Sequence, residues 1–526
     1  TLVWFAKEDN PDQYEAWHNS WCNEALEQAL KLQDSCVAQY LYRLYWLEVA
    51  CTNSDKSVWY VFNGVRWQRK QRALAINDRI NKDVIRRLER ERIESSQRVS
   101  TFVNNNDKQP EENRIKAITA LIEKLKESKF VDRVVKATTT PFHSAYEHFN
   151  AWMDSNPDLM GCADCVIECN SKAIVTRPGK PEDYITMSTG MFLKRRKYSW
   201  HHAEVREIMD WLGKVHVDAS LRHEFIKEVS SWLRGGNHDK RIPIHTGAGN
   251  NSKSMVFRII EICFGQYFGK FPTSMFTGRR TQSSNANPEL AQSKGKHIMV
   301  VQETDEDVEN FKKGVLKELS GKDSIFARLL HDNGGSFLPM FCLGIICNTV
   351  PKFSGVDSAI EERVSILPYL SKWVDNPPES VEEQYKQRLF KKDPYFDTRL
   401  PFLAPAFLWI LTQYYEYYLK EGIRKPRIVE EHTKKYWERQ NIFHLYIKTR
   451  LERVYSDDDG MIPDPNASIT HTDLYLDFKR WVSDCMPGRK IPDITKAKEG
   501  FSKHLVRENS RWIGIRIITS KDVFNI

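Results

Sequence analysis

At 526 residues the chain exceeds one ordinary domain, and its length points to about three or four folding units. The apolar and charged fractions are those of a water-soluble globular protein, and the longest apolar run, Leu400 to Leu411, is too short and too interrupted by proline to span a bilayer. A formal charge of +8 is modest for this size; it is compatible with a polyanionic partner and does not establish one.

The first stretch, residues 1–140, reads as mainly helical, with long mixed-charge segments around Asn77 to Val103 and Glu112 to Lys129 separated by the polar loop "NNNDKQPEEN". Within it, Val58 to Lys70 alternates aromatic and polar residues around Asn63-Gly64, which predicts an aromatic hairpin. Residues 141–235 read as a mixed region. There Cys162, Cys165 and Cys169 could supply three thiolates to zinc, with His143 or His148 as a fourth ligand. The alternation of "DCVIECNSKAIV" makes a strand the better reading, because no second pair of ligands follows at zinc-site spacing. The ten cysteines as a whole are scattered, unlike a disulfide scaffold, and fit a reducing intracellular compartment.

Residues 236–375 change texture to short apolar runs between helices, as in a mostly parallel sheet, so the fold class expected is α/β with a P-loop core. At the start of this region "IPIHTGAGNNSKSMVFRII" supplies a strand, a loop and an apolar helix. The loop residues Thr246, Gly247, Ala248, Gly249, Asn250, Asn251, Ser252, Lys253 and Ser254 follow the phosphate-binding pattern G-x-x-x-x-G-K-[ST], except that Ser252 stands where glycine is usual. Backbone N–H groups and a helix N-terminus would face phosphate, Lys253 would meet the β and γ phosphates of ATP, and Ser254 would join a Mg2+ shell. Downstream, the apolar run Ile298 to Val301 leads to Glu303, placed to hold the metal and polarise an attacking water. The run Phe341 to Asn348 ends on Asn348, which could position that water or sense the γ phosphate, and Arg363 stands immediately before another apolar strand, where it could reach a neighbouring subunit's nucleotide.

Between these runs, Asp332-Asn333-Gly334-Gly335 flanked by apolar residues predicts a β-hairpin, with Lys322 at its base and Arg328 and His331 on the arm leading to the tip, where they can meet phosphate oxygens. Taken alone, a surface hairpin with solvated basic residues is the better reading. Residues 376–460 read as helical and Tyr-rich, and 461–526 as a small basic winged-helix-like module.

The order of these features, a G-x-G-x-N-x-K-S loop, a strand ending in glutamate, a basic hairpin, a strand ending in asparagine and then an arginine, resembles the superfamily 3 helicases. The chain is most similar to the helicase part of the primase-helicases of nucleocytoplasmic large DNA viruses, of the poxvirus and asfarvirus type. "VWYVFNGVRW", "NPDLMGCADCVIECNSKAIVTRPGKPEDYIT", "NPELAQSKGKHIMVVQE" and "LSGKDSIFARLLHDNGGSFLPMFCLGIICNTVPKF" carry the likeness, which is most specific from Gly247 to Pro368. Ser252, His297 and Glu362 depart from the pattern. The resemblance implies an AAA+ ATPase ring, usually a homo-hexamer, using ATP and Mg2+ to move on single-stranded and forked DNA, with Lys322, Arg328 and His331 of the hairpin as the residues that bind it. It implies as well a helical collar ahead of the ATPase, an N-terminal primase domain in a longer polypeptide, viral polymerase partners, and a place in the host cytoplasm or a viral replication factory. A DNA-dependent ATPase that loads or remodels, or an ATP-binding scaffold of the replication machinery, are the rival readings.

Overall fold

The computed structural model describes residues 9–53, 57–71, 74–102, 105–195, 197–277, 287–302, 311–328, 334–353, 358–456, 462–486 and 491–518. The N-terminal part is built from helices Pro11–Ala29, Asp34–Tyr45, Ile85–Thr101, Asn105–Lys126 and Ser128–Ala145 around an antiparallel sheet of β1 (Val49–Asn53), β2 (Val58–Phe62) and β3 (Trp67–Lys70). The expected aromatic hairpin is β2–β3, and β1 adds a third strand. The expected polar loop "NNNDKQPEEN" is largely helical, since helix Asn105–Lys126 begins inside it. Ion pairs explain the difference: Glu111 meets Arg98 at 3.2 Å, and Arg114 reaches Glu27 at 2.8 Å and Glu91 at 3.1 Å. Contacts made across three helices outweigh the loop-like local composition.

The hairpin docks this part onto the next. Trp67 is fully buried, its indole N–H donates to the Pro181 carbonyl at 2.7 Å, and its backbone N–H donates to Ile185 O at 2.7 Å. The following region holds a second antiparallel sheet, β4 (Leu159–Gly161), β5 (Val166–Cys169) and β6 (Ile174–Arg177), then helices Ala203–Val215 and Ala219–Ser231. Cys169 therefore lies on a strand, as its alternation predicts.

The centre is a five-stranded, wholly parallel sheet of β7 (Ile242–Thr246), β8 (Phe268–Phe271), β9 (Ile298–Gln302), β12 (Cys342–Cys347) and β13 (Val364–Pro368), in the order β13-β7-β12-β9-β8. Its inner strands β7, β12 and β9 are largely apolar and buried because both faces are covered, whereas the edge strand β8 carries the exposed Lys270. The period-two alternation sends Ile298 and Val300 into one core and Met299 and Val301 into another; Leu367 parts from Val364 and Ile366 in the same way. Between β9 and β12 stands the hairpin β10 (Ile325–Ala327) and β11 (Gly335–Phe337), antiparallel with Ala327 opposite Gly335, so its arms form as expected.

After β13 come β14 (Lys372–Val374) and β15 (Leu389–Lys391), which pair with each other alone, and the long helix Phe396–Glu421. Pro401 and Pro405 lie inside that helix, which packs its apolar face into the core shared by helices Ala203–Val215, Ala219–Ser231 and Lys253–Phe264. No helix among the described residues is long and apolar enough to cross a membrane. Helices Arg427–Gln440 and Ile442–Arg450 lead to β16 (Leu451–Arg453) and a last unit of β17 (Ser468–Thr470), helices His471–Cys485 and Ile494–Ser502, β18 (Arg507–Glu508), β19 (Arg511–Ile513) and β20 (Ile515–Ile517). Tyr446, Leu451, Phe478, Phe501 and Trp512 share that unit's core.

Candidate nucleotide site

The P-loop begins where β7 ends. Thr246 closes the strand, residues 247–252 turn, and helix Lys253–Phe264 follows with an apolar face of Val256, Phe257, Ile259 and Ile260. Gly247 is demanded by close approach: a Cβ there would sit 2.5 Å from the Tyr369 carbonyl and 2.4 Å from the Asn251 amide nitrogen. Gly249 has open space beside it and lines a cavity. Asn250 and Ser252 adopt left-handed backbone, with φ of 59° and 60°. Ser252 thus holds, as a serine, the conformation for which the usual loop employs glycine.

Lys253 is buried, and its ammonium donates to three oxygens: Gly247 O at 3.0 Å, Cys347 O at 2.5 Å and Asn348 Oδ1 at 3.0 Å. All three are neutral, and burial pulls the lysine below its ordinary pKa. Among the described residues no carboxylate compensates this charge, so the ammonium is poised for an anion. The neighbouring strand ends are stitched together: the Thr246 hydroxyl donates to the Asn348 carbonyl at 3.0 Å, and the Asn251 side-chain oxygen accepts the Lys253 backbone N–H at 3.2 Å. Ser254, in the first turn of the helix, is exposed and lines the cavity that Lys253 and Asn348 also line. The structure therefore brings together the loop, Lys253, Ser254 and Asn348.

Glu303 lies outside the described residues; β9 ends at Gln302, paired with Ile346 one strand from the P-loop strand. Arg363 is placed differently. It precedes β13, whose first residue Val364 pairs with Ile242 while its last, Pro368, pairs with Thr246. Arg363 and the P-loop therefore stand at opposite ends of two neighbouring parallel strands, separated by the length of a five-residue strand, about 16 Å. Its guanidinium donates to Lys317 O at 3.1 Å and Ser320 Oγ at 2.8 Å, at the end of helix Lys313–Leu319. On the hairpin, Lys322 is exposed and Arg328 half-buried at the end of β10, while His331 lies outside the described residues.

Cys162, Cys165 and Cys169 are fully buried in the apolar core. A hydrogen bond to Cys165 and burial hold the Cys162 thiol well above its usual pKa, and burial does the same for Cys169. Among the described residues, no group of three metal-binding side chains includes any of them or His143 or His148.

Sequence reasoning missed the far wall of the cavity, which holds about 800 Å³. Trp211, Trp373, Phe396 and Gln384 line it from segments distant in sequence and carrying no motif. Beneath the P-loop lie two further unanticipated groups, His216 and His245, buried beside Tyr369; burial lowers both imidazoles to about 3.

Comparison with known proteins finds viral relatives of this chain. Residues 38–229 match the family described as D5 N terminal like. "Putative helicase L207/L206" of Acanthamoeba polyphaga mimivirus is 26% identical over 495 residues, 93% of this chain and 50% of that protein. "Putative helicase 184R" of Invertebrate iridescent virus 6 is 31% identical over 373 residues, 67% of this chain and 37% of that protein. The chain thus spans half or less of the length of these two curated relatives. A solved apo structure of the NrS-1 C-terminal region is similar at a TM-score of 0.33 and 11% identity, covering 69% of this chain and 96% of that one, a likeness too loose to carry further argument. With a D5 N terminal like region ahead of its P-loop sheet and viral relatives along almost its full length, the chain is a relative of the primase-helicases of nucleocytoplasmic large DNA viruses.

Proposed function

We propose that the chain is an ATP-driven DNA helicase of superfamily 3, the helicase part of a longer viral primase-helicase. The observation that carries this reading is the buried Lys253 ammonium, held by Asn348 from the adjacent strand and lacking a carboxylate partner among the described residues. A triphosphate entering the loop supplies the missing anion. The helix N-terminus and loop amides add to its binding, and Lys253 neutralises charge developing on the transferred phosphoryl group. Asn348 orients the attacking water or reports the γ phosphate.

The donor set fits Mg2+ as far as it is described, with the Ser254 hydroxyl on the cavity wall and Glu303 assigned from sequence as the acidic ligand and water activator. Bound there, Mg2+ would neutralise phosphate oxygens in the transition state. An AAA+ core is supported by the parallel sheet with the P-loop strand beside the Asn348 strand. The winged-helix reading of the C-terminal unit is supported by two helices followed by an antiparallel pair of strands.

Each site is shared in a homo-hexameric ring, with Arg363 acting on a neighbour's nucleotide. The sheet geometry supports this sharing, since Arg363 stands at the end of β13 away from its own P-loop. The hairpin with Lys322, Arg328 and His331 grips single-stranded DNA, and the primase domain and viral polymerase are the partners. The test is an ATPase assay with and without single-stranded DNA, followed by unwinding of a forked duplex. ATPase stimulated by DNA without unwinding would point to a loader or remodeller, and nucleotide binding without turnover to a scaffold.

A further inference from the structure

The cavity at the P-loop is larger than a phosphate chain requires, and its two ends differ in chemistry. One end is the loop with Lys253 and Asn348. The other is aromatic. Trp211, on helix Ala203–Val215, has its ring 4.8 Å from that of Phe396, and Trp373 on β14 lies 5.7 Å from Phe390 on β15. All four line the cavity, and Trp373 and Phe396 are only half-buried. β14 and β15 stand apart from the five-stranded sheet and are anchored to the loop through the backbone: the Trp373 N–H donates to Asn250 O at 2.8 Å.

Most of the charges at this end are already paired with opposite charges, and the Lys391 ammonium donates to the Asp375 backbone carbonyl. Lys214 meets Asp210 at 2.7 Å, Arg399 meets Asp393 at 2.7 Å and Glu207 at 3.0 Å, and Lys392 meets Asp375 at 3.3 Å. A region whose cations are mostly neutralised from within is better suited to a neutral planar ring than to a second anion.

We propose that this aromatic end is the base-binding half of the nucleotide site: the base stacks against the wall made by Trp373 and Phe396 while the triphosphate occupies the loop. The inference rests on the reading of residues 247–254 as a phosphate loop. Stacking on an aromatic wall desolvates both faces at little conformational cost and tolerates any base, as single-stranded nucleic acid binding by aromatic platforms illustrates. It gives the D5 N terminal like region a role in the ATPase site, because Trp211 belongs to it. It also links base occupancy to the loop through the Trp373–Asn250 hydrogen bond.

The experiment compares binding of ATP and of inorganic triphosphate, each with Mg2+, by calorimetry. The wild-type protein should bind ATP on the order of 10- to 100-fold more tightly than triphosphate, the range expected for stacking one base. Trp373→Ala should remove most of that preference by weakening ATP alone, and Trp373→Phe should restore it. Lys253→Ala should weaken both ligands. Equal affinity of the wild-type protein for the two ligands overturns the base site and leaves the phosphate loop standing, with no variant needed. Equal weakening of both ligands by Trp373→Ala also overturns it, showing that the residue merely props the loop. If Lys253→Ala weakens neither, the phosphate-loop reading itself fails.

Discussion

The ammonium of Lys253 and the side-chain oxygen of Asn348 lie 3.0 Å apart although 95 residues separate them in the chain. Parallel pairing of β12 with β7 makes this contact, by setting Cys347 opposite Thr246 and placing Asn348 just beyond. Lys253→Ala should therefore abolish ATP hydrolysis, because it removes the cation that meets the transferred phosphoryl group. Asn348→Ala should lower turnover on the order of a hundredfold with nucleotide binding retained. Asn348→Asp should impair hydrolysis as well, by offering the lysine a permanent anion in competition with phosphate. A steady-state phosphate-release assay with nucleotide-binding controls checks all three.

Ser252 occupies left-handed backbone with φ of 60°. Ser252→Gly should raise stability by up to about 1 kcal/mol, the strain relieved being partly offset by the greater freedom of glycine in the unfolded chain. Turnover should be unchanged or slightly raised. Denaturant unfolding and an ATPase assay on the same preparation provide the comparison, and a clear loss of stability would show that the serine side chain has a structural role.

Arg363 cannot serve the P-loop of its own chain from the far end of β13. Arg363→Ala should retain nucleotide binding and lose hydrolysis by about 10³-fold or more. Mixing it with Glu303→Gln protein should recover part of the activity, through junctions that pair an intact Glu303 with a neighbour's intact Arg363. No recovery at any mixing ratio, together with a stability loss of about 1–2 kcal/mol from the severed bonds to Lys317 and Ser320, would assign Arg363 a role within its own subunit.

Arg328→Ala and His331→Ala should leave basal ATPase and assembly largely intact while weakening stimulation by DNA and abolishing unwinding. Lys322→Ala should reduce the salt dependence of single-stranded DNA binding, since fewer counterions are released. Unwinding at the wild-type rate by both hairpin variants would exclude the hairpin as the moving element.

His216, His245 and His297 are buried as neutral imidazoles, with burial the leading cause of folded-state values of about 3, 3 and 4. Their unfolded value is about 6.5, so below that pH the unfolded chain binds more protons and the folded state loses stability. The loss should amount to about 1.4 kcal/mol per histidine for each pH unit between about 6.5 and 4. Urea unfolding at pH 7.5, 6 and 5 should show this fall, and His297→Gln should make it shallower.

Strands β9 and β12 were legible because they are apolar runs leading to polar residues, a pattern that survives without tertiary information, whereas β8, with Gly269 and Lys270 inside it, gave no such signal. The hairpin β2–β3 was legible from Asn63-Gly64, a turn signal that local chemistry dictates. What could not be read was whatever depends on distant partners. The helix across "NNNDKQPEEN" is fixed by Arg98 and by Arg114's contacts with two other helices. The aromatic wall of the cavity is assembled from Trp211, Trp373 and Phe396, each of which reads alone as an ordinary core aromatic. The strand that follows Arg363 was legible from its apolar run, but the position of Arg363 at the far end of that strand from the loop required the strand pairing.

The D5 N terminal like match ends at residue 229, two residues before the end of helix Ala219–Ser231. Phe225, Ile226 and Val229 on that helix share one core with Phe257 and Ile260 of the P-loop helix and with Leu403, Phe407 and Leu411. Lys227, wholly buried, pairs with Glu224 at 2.7 Å and with Glu421 at 2.8 Å, bolting the two sides together. The unit of shared ancestry is consequently not a unit of folding. A fragment cut at residue 229 would expose part of this interior and leave Lys227 without Glu421, so it should aggregate, whereas the intact chain should lose the N-terminal side and the P-loop side of this interior in one step.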